Sequence, residues 1–167
     1  MDKMQKIWRN RSITKATKTR LVKTLIFPIF LYAAETWTLR DVEKQKIDAL
    51  EMLCWRRMLG VSWTEFRTNV SILQELGIKQ RLFSTVQSRI LTFFGHVSRR
   101  GDQSIERLVV QGKVEGTRPR GRSPTRWTDQ IKSAVGDSLN QCSRMTTNRQ
   151  RWQNVVKRIT SAPTTTS

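Results

Sequence analysis

Leu21, Val22, Leu25, Ile26, Ile29, Phe30 and Ala33 recur at three- and four-residue steps, which places them on one stripe of an amphipathic helix. Thr14 can cap its start, and Pro28, lacking a backbone donor, is expected to kink or split it. A second stripe runs through Ile47, Leu50, Cys54 and Met58, widened by Leu53 and Trp55. It predicts a helix over 41–59 that Gly60 is placed to end. A short helix opens at Asn69, passes through Leu73 and Leu76, and stops at Gly77. Leu82, Val86, Ile90, Phe93, Phe94 and Val97 mark a long helix, and 104–111 a further short one. The stripes at 21–33, 47–58 and 82–97 are expected to pack around one core, because each alone exposes too much apolar surface.

The periodicity then breaks. Residues 112–124 hold three glycines and no apolar repeat, which reads as a loop. Ser123 can act as an N-cap with Pro124 at the first helical position, so helix is expected to resume there, burying Trp127, Ile131, Ala134 and Val135 and closing at Gly136. A last helix puts Trp152, Val155, Val156 and Ile159 on one side, with Arg149, Arg151, Lys157 and Arg158 mostly on others. No strand alternation and no internal repeat is visible. The predicted fold class is all-α: helices over 1–60, a helical extension over 61–111, a basic Gly/Pro/Arg loop over 112–123, a C-terminal helical subdomain over 124–160, and a disordered tail over 161–167.

Charge changes the picture more than hydropathy does. Lys and Arg number 31 against 13 Asp and Glu in 167 residues, a formal charge of +18. The excess is spread along the chain, +7 over 1–80 and +11 over 81–167. Such a surface repels itself unless a polyanion neutralises it, which points to a phosphate backbone as partner. The sharpest local feature is Arg118-Pro119-Arg120-Gly121-Arg122-Ser123-Pro124-Thr125-Arg126. Its guanidinium groups suit phosphate oxygens bidentately, and the helix start expected just after it offers N–H groups to an anion.

Candidate chemistry is sparse. Cys54, Cys142 and His96 are the only Cys and His residues, too few and too far apart for structural zinc, and the two cysteines make no disulfide framework. No adjacent Asp pair offers a two-metal centre, and no Gly-rich loop ending in Lys and Ser/Thr offers a phosphate cradle. His96 reads as a structural histidine. Catalytic residues, metal and cofactor are therefore expected to be absent. Of the six tryptophans, Trp127 and Trp152 fall on apolar stripes and read as core anchors, whereas Trp63 sits in a more open segment. The longest apolar run, 25–34, is about half of the ~20 residues a bilayer span needs, so no membrane is expected. The first 23 residues are basic and Thr-rich like a transit peptide, but they run straight into core-like sequence, and secretion is not expected.

Several segments together resemble a known family. Thr17-Lys18 through Leu31-Tyr32-Ala33-Ala34-Glu35-Thr36-Trp37-Thr38-Leu39 is similar to the stretch after the palm in reverse transcriptases of non-LTR (LINE-type) retrotransposons. The likeness continues through Cys54-Trp55-Arg56-Arg57-Met58-Leu59, Trp63-Thr64, Arg67-Thr68-Asn69 and Phe94-Gly95-His96-Val97-Ser98-Arg99-Arg100. It ends at Arg118 through Ile131, as in RTE-like elements, and covers roughly residues 3–159. The resemblance implies the thumb and post-thumb end of a polyprotein whose apurinic-type endonuclease and polymerase centres lie upstream. Met1 falls where the family's sequence continues inward, so a truncated or decayed copy is expected. Residues 1–60 would be the thumb-like helices. The implied role is clamping template–primer duplex (RNA, DNA or an RNA–DNA hybrid) by its phosphates, inside the cell and in the nucleus. Candidate contacts are Arg118, Arg120, Arg122 and Arg126, then Lys18, Arg20 and Lys23 on the first helix, with Arg99 and Arg100 after His96. The alternative is a stand-alone helical interaction protein, or an orphan retroelement-derived reading frame with no selected function. The family carries Gly after the tyrosine where this chain has Ala33, a change that a helix would tolerate.

Overall fold

A computed structural model of the chain describes residues 4–101, 103–111 and 125–161, apart from the side chains of Trp63 and Gln111. The loop expected over 112–123, with Arg118, Arg120 and Arg122, lies outside the described residues, as do Pro124 and the tail beyond Ser161. Among the described residues all regular structure is helical and there is no strand, as the apolar period predicts. The α-helices are α1 (Gln5–Arg9), α2 (Lys15–Leu21), α3 (Phe27–Phe30), α4 (Asp41–Leu59), α5 (Asn69–Glu75), α6 (Leu82–Ser98), α7 (Ile105–Gln111), α8 (Trp127–Val135), α9 (Leu139–Thr147) and α10 (Arg149–Ser161). They form two compact units, one of residues 1–32 and 41–83, the other of residues 33–40 and 84–167.

In the first unit, Thr14 caps α2 by accepting the Thr17 N–H at 3.2 Å. Between α2 and α3, residues Val22–Ile26 form a π-helical turn in which the Phe27 N–H reaches the Val22 carbonyl. Pro28 explains it. Its ring would strike the carbonyl four residues back and its missing N–H would leave that carbonyl unpaired, so the helix is split, as expected, by a wider turn upstream. Thr24 adds to the bend by donating its hydroxyl to the Arg20 carbonyl at 2.9 Å. The five-residue step rotates the buried face. Val22, Phe27, Leu31 and Ala34 are buried, whereas Leu25 and Ile29, expected in the stripe, face solvent.

Phe27 packs edge-on against the buried Trp55 of α4, with ring centroids 5.3 Å apart. On α4 the stripe holds at Ile47, Cys54, Trp55 and Met58, but Leu53 is half exposed and Glu51 is fully buried. Glu51 is sustained by Arg81, whose Nε donates to it at 2.7 Å, and by the Trp55 indole N–H at 3.3 Å. The Arg81 guanidinium also donates to Asp48 at 2.9 Å. Gly60 ends α4 at φ +71°, with the Val61 N–H closing back on the Arg56 carbonyl at 3.0 Å. Helix α5 opens at Asn69, as expected, with Thr68 as its cap and Ile72 as its buried residue.

Ala33 is a correction. It does not continue a helix but sits at φ 54°, ψ 20°, in the left-handed region where the chain leaves one unit's segment for the other's. A Cβ there costs about 1–2 kcal/mol, which glycine avoids at some loss of chain entropy. Ala33→Gly is therefore expected to stabilise the fold by about 1 kcal/mol, read from the urea midpoint by circular dichroism. A destabilised variant would mean that Ala33 is not strained.

The second unit takes α6 from Ser84 onward. Val86, Ile90, Leu91, Phe94 and Val97 are buried, as are Ile131 of α8, Cys142 of α9, and Trp152 and Val156 of α10. Phe94 lies 5.6 Å from Trp152 and 6.3 Å from Trp127, centroid to centroid. The 33–40 segment is tied in by α8: Trp127 Nε1 donates to the Glu35 carbonyl at 3.0 Å, and the Gln130 side chain donates to the Trp37 carbonyl at 2.7 Å and accepts from the Leu39 N–H at 3.1 Å. Helix α8 begins at Trp127, three residues later than expected, with Arg126 as its N-cap. Helix α9, capped by Ser138, has no counterpart in the apolar pattern; its buried face is Cys142 and Thr146, too few apolar positions to make a stripe.

Candidate nucleic-acid interface

Helices α6 and α10 border a cleft of about 790 Å³ in the second unit. One wall is a face of α6 bearing Arg89, Phe93 and His96, which recur at three- and four-residue steps, with Arg99 in the turn just after the helix. The other is a face of α10 bearing Arg149, Gln153 and Lys157, spaced four apart. Trp152 and Val156 are buried and Phe93 half-buried, so they form the floor; the four cations and His96 are exposed and form the rim. One acid, Glu35, joins this lining, so four cations face one carboxylate.

The floor is fixed by a close approach. Trp152 Nε1 donates to the Leu91 carbonyl at 2.9 Å, which lays the indole on α6 where Gly95 has no side chain. A methyl there would come within 2.5 Å of Trp152 Cδ1. His96, expected to be a structural histidine, instead points to solvent at the cleft rim.

The structure brings one expected contact, Arg99, into this cleft, where it also donates to the Thr146 carbonyl at 3.1 Å. Arg100 is paired with Glu106. Lys18 is half-buried and its ammonium is held by the Trp8 carbonyl at 2.6 Å. Arg20 and Lys23 line a separate concavity of the first unit with Lys15. There Glu75 accepts from Lys15 at 2.6 Å and from Arg67, and these two partners hold its carboxyl below the usual range.

Arg126 is exposed at the start of α8. Asp129 accepts the Arg126 backbone N–H at 2.9 Å and Lys132 at 2.6 Å; Lys132 first, then that N–H, hold its carboxyl below the usual range. Arg149 and Lys157 fall on the polar side that the sequence gives the last helix, but their meeting with Arg89 has no local signal, because 50 residues or more separate the two walls. Both cysteines are buried, and burial raises each thiol above its usual range. Among the described residues no cluster of His, Cys, Asp and Glu could hold a metal ion, and no helix is long and apolar enough to cross a membrane.

No protein-family profile matches the chain, and no solved structure does. The chain is similar to an uncharacterised transposon-derived protein of Caenorhabditis elegans, with 25% identity over 161 residues. The aligned stretch takes in 90% of this chain but only 58% of the relative's length, so what is shared is part of a longer transposon-derived protein.

Proposed function

We propose that this chain is the thumb and post-thumb part of a non-LTR, RTE-like reverse transcriptase, and that it holds nucleic acid by its phosphates with no polymerase or endonuclease centre of its own. The observation that carries the binding role is the cleft in which four cations face one carboxylate. The run of family-like segments from Thr17 to Ile131 and the transposon-derived relative support the descent. RNA, DNA and an RNA–DNA hybrid all present the phosphates this chemistry requires.

The test is a binding titration of purified protein against labelled duplex and single strand across a range of salt. Log K should fall linearly with log salt, because each neutralised phosphate releases condensed counterion. Arg149→Ala with Lys157→Ala should lower the slope by about 0.9 per lost contact on duplex and about 0.7 on single strand. Thermal stability should hold, since both side chains are exposed. Alanine at Arg118, Arg120, Arg122 and Arg126 together should lower the duplex slope by roughly 3–4 if each holds a phosphate. Affinity that does not respond to salt would overturn the reading.

A further inference from the structure

The floor of the α6–α10 cleft suits poorly a ligand that offers only phosphates. Phe93, Trp152 and Val156 are apolar, and Glu35 would repel a phosphate brought down to it. A duplex turns its base faces into its own stack and presents its backbone outward, so it could meet the rim alone. A single strand offers both parts. Its phosphates suit the cationic rim, its flat base faces suit an aromatic floor, and its base amino groups can donate to a carboxylate.

We propose that this cleft takes single-stranded nucleic acid, with one base lying against Phe93 and His96 and the flanking phosphates held by Arg149 and Lys157 on one wall and Arg89 and Arg99 on the other. This rests on the nucleic-acid-binding reading above and narrows its ligand. The Phe93 ring lines the cleft, is half-buried, and makes a T-shaped contact with Trp127 at 6.0 Å that helps to hold it. His96 lies three residues on, almost one helical turn along the same wall, with its imidazole exposed. Imidazole and phenyl rings both serve as stacking platforms for unpaired bases. Glu35 lines the same cleft and supplies a carboxylate able to accept from the amino group of a base.

The experiment compares Phe93→Leu and His96→Ala with the double variant Arg149→Ala, Lys157→Ala, each in the full chain and each checked by circular dichroism and melting. The probes are a labelled, unstructured cytosine-rich single strand, made as RNA and as DNA, and a labelled hairpin duplex. His96→Ala leaves the core untouched, so it reads binding even if Phe93→Leu loosens the floor. Each base-side variant should weaken single-strand binding by roughly 5- to 50-fold, leave duplex binding within about twofold, and leave the salt slope unchanged. The double variant should weaken both ligands and lower the slope. If the base-side variants keep full single-strand affinity while salt-dependent binding persists, this inference fails and the phosphate-binding reading stands. If no probe binds at low salt, both fail together.

Discussion

Trp152→Ala should cost the fold about 3–5 kcal/mol, because it removes the buried indole that anchors α10 on α6. The side chain is 2% exposed, packs 5.6 Å from Phe94, and donates to the Leu91 carbonyl. Deleting it loses the transfer free energy of the ring and leaves a hole that the surrounding helices can close only in part. Gly95→Ala probes the same contact from the other side. Alanine is the better helix former by about 1 kcal/mol, yet its methyl would force the indole away, so a net loss of about 1–3 kcal/mol is expected. In the Trp152→Ala background the methyl meets only the flexible end of Arg99, at 3.2 Å, and the substitution should then stabilise by up to about 1 kcal/mol. Urea denaturation followed by far-ultraviolet circular dichroism measures all four proteins. A Gly95→Ala effect of equal sign in both backgrounds would show that the indole does not rest on that glycine.

Arg81→Ala is the counterpart in the first unit, also expected to cost about 3–5 kcal/mol. Glu51 has no exposed surface, and without Arg81 its charge keeps only the longer bond from Trp55. What is lost is chiefly the compensation of a buried carboxylate, not the intrinsic strength of the pair. The distinction can be measured, since Glu51→Met with Arg81→Met should fall within about 1–2 kcal/mol of the parent, far closer than Arg81→Ala alone. If Arg81→Ala melts with the parent protein, Glu51 must find water that the structure denies it.

Local signals in the sequence carry a large part of the architecture. Thr14, Gly60, Gly77 and Gly136 mark helix ends through one residue's own chemistry, and they do so where the sequence places them. The failures have physical causes as well. A period of 3.6 cannot anticipate the π turn before Pro28, so it turns Leu25 and Ile29 inward when both face solvent. Helix α9 buries only Cys142 and Thr146, one apolar position and a hydroxyl, too few to make a stripe. Glu51 is buried only because Arg81, 30 residues on, comes back to meet it. The cleft is the least legible feature, because it depends on two helices that only the fold brings together. Ala33 misleads for a related reason: alanine is at home in a helix, but here its backbone is left-handed.

Residues 33–40 belong to the second unit although the chain on either side of them belongs to the first. Their anchors, Trp127 and Gln130, lie more than 90 residues downstream. On a ribosome that interval lasts roughly 5–20 s at about 5–20 residues per second. Throughout it the two side chains that bond Glu35, Trp37 and Leu39 have yet to be made, while the first unit's remaining pieces are already emerging. The second unit can therefore be completed only after synthesis has passed α8, and a chaperone that shields one short apolar segment would act on this protein at that interval above all others.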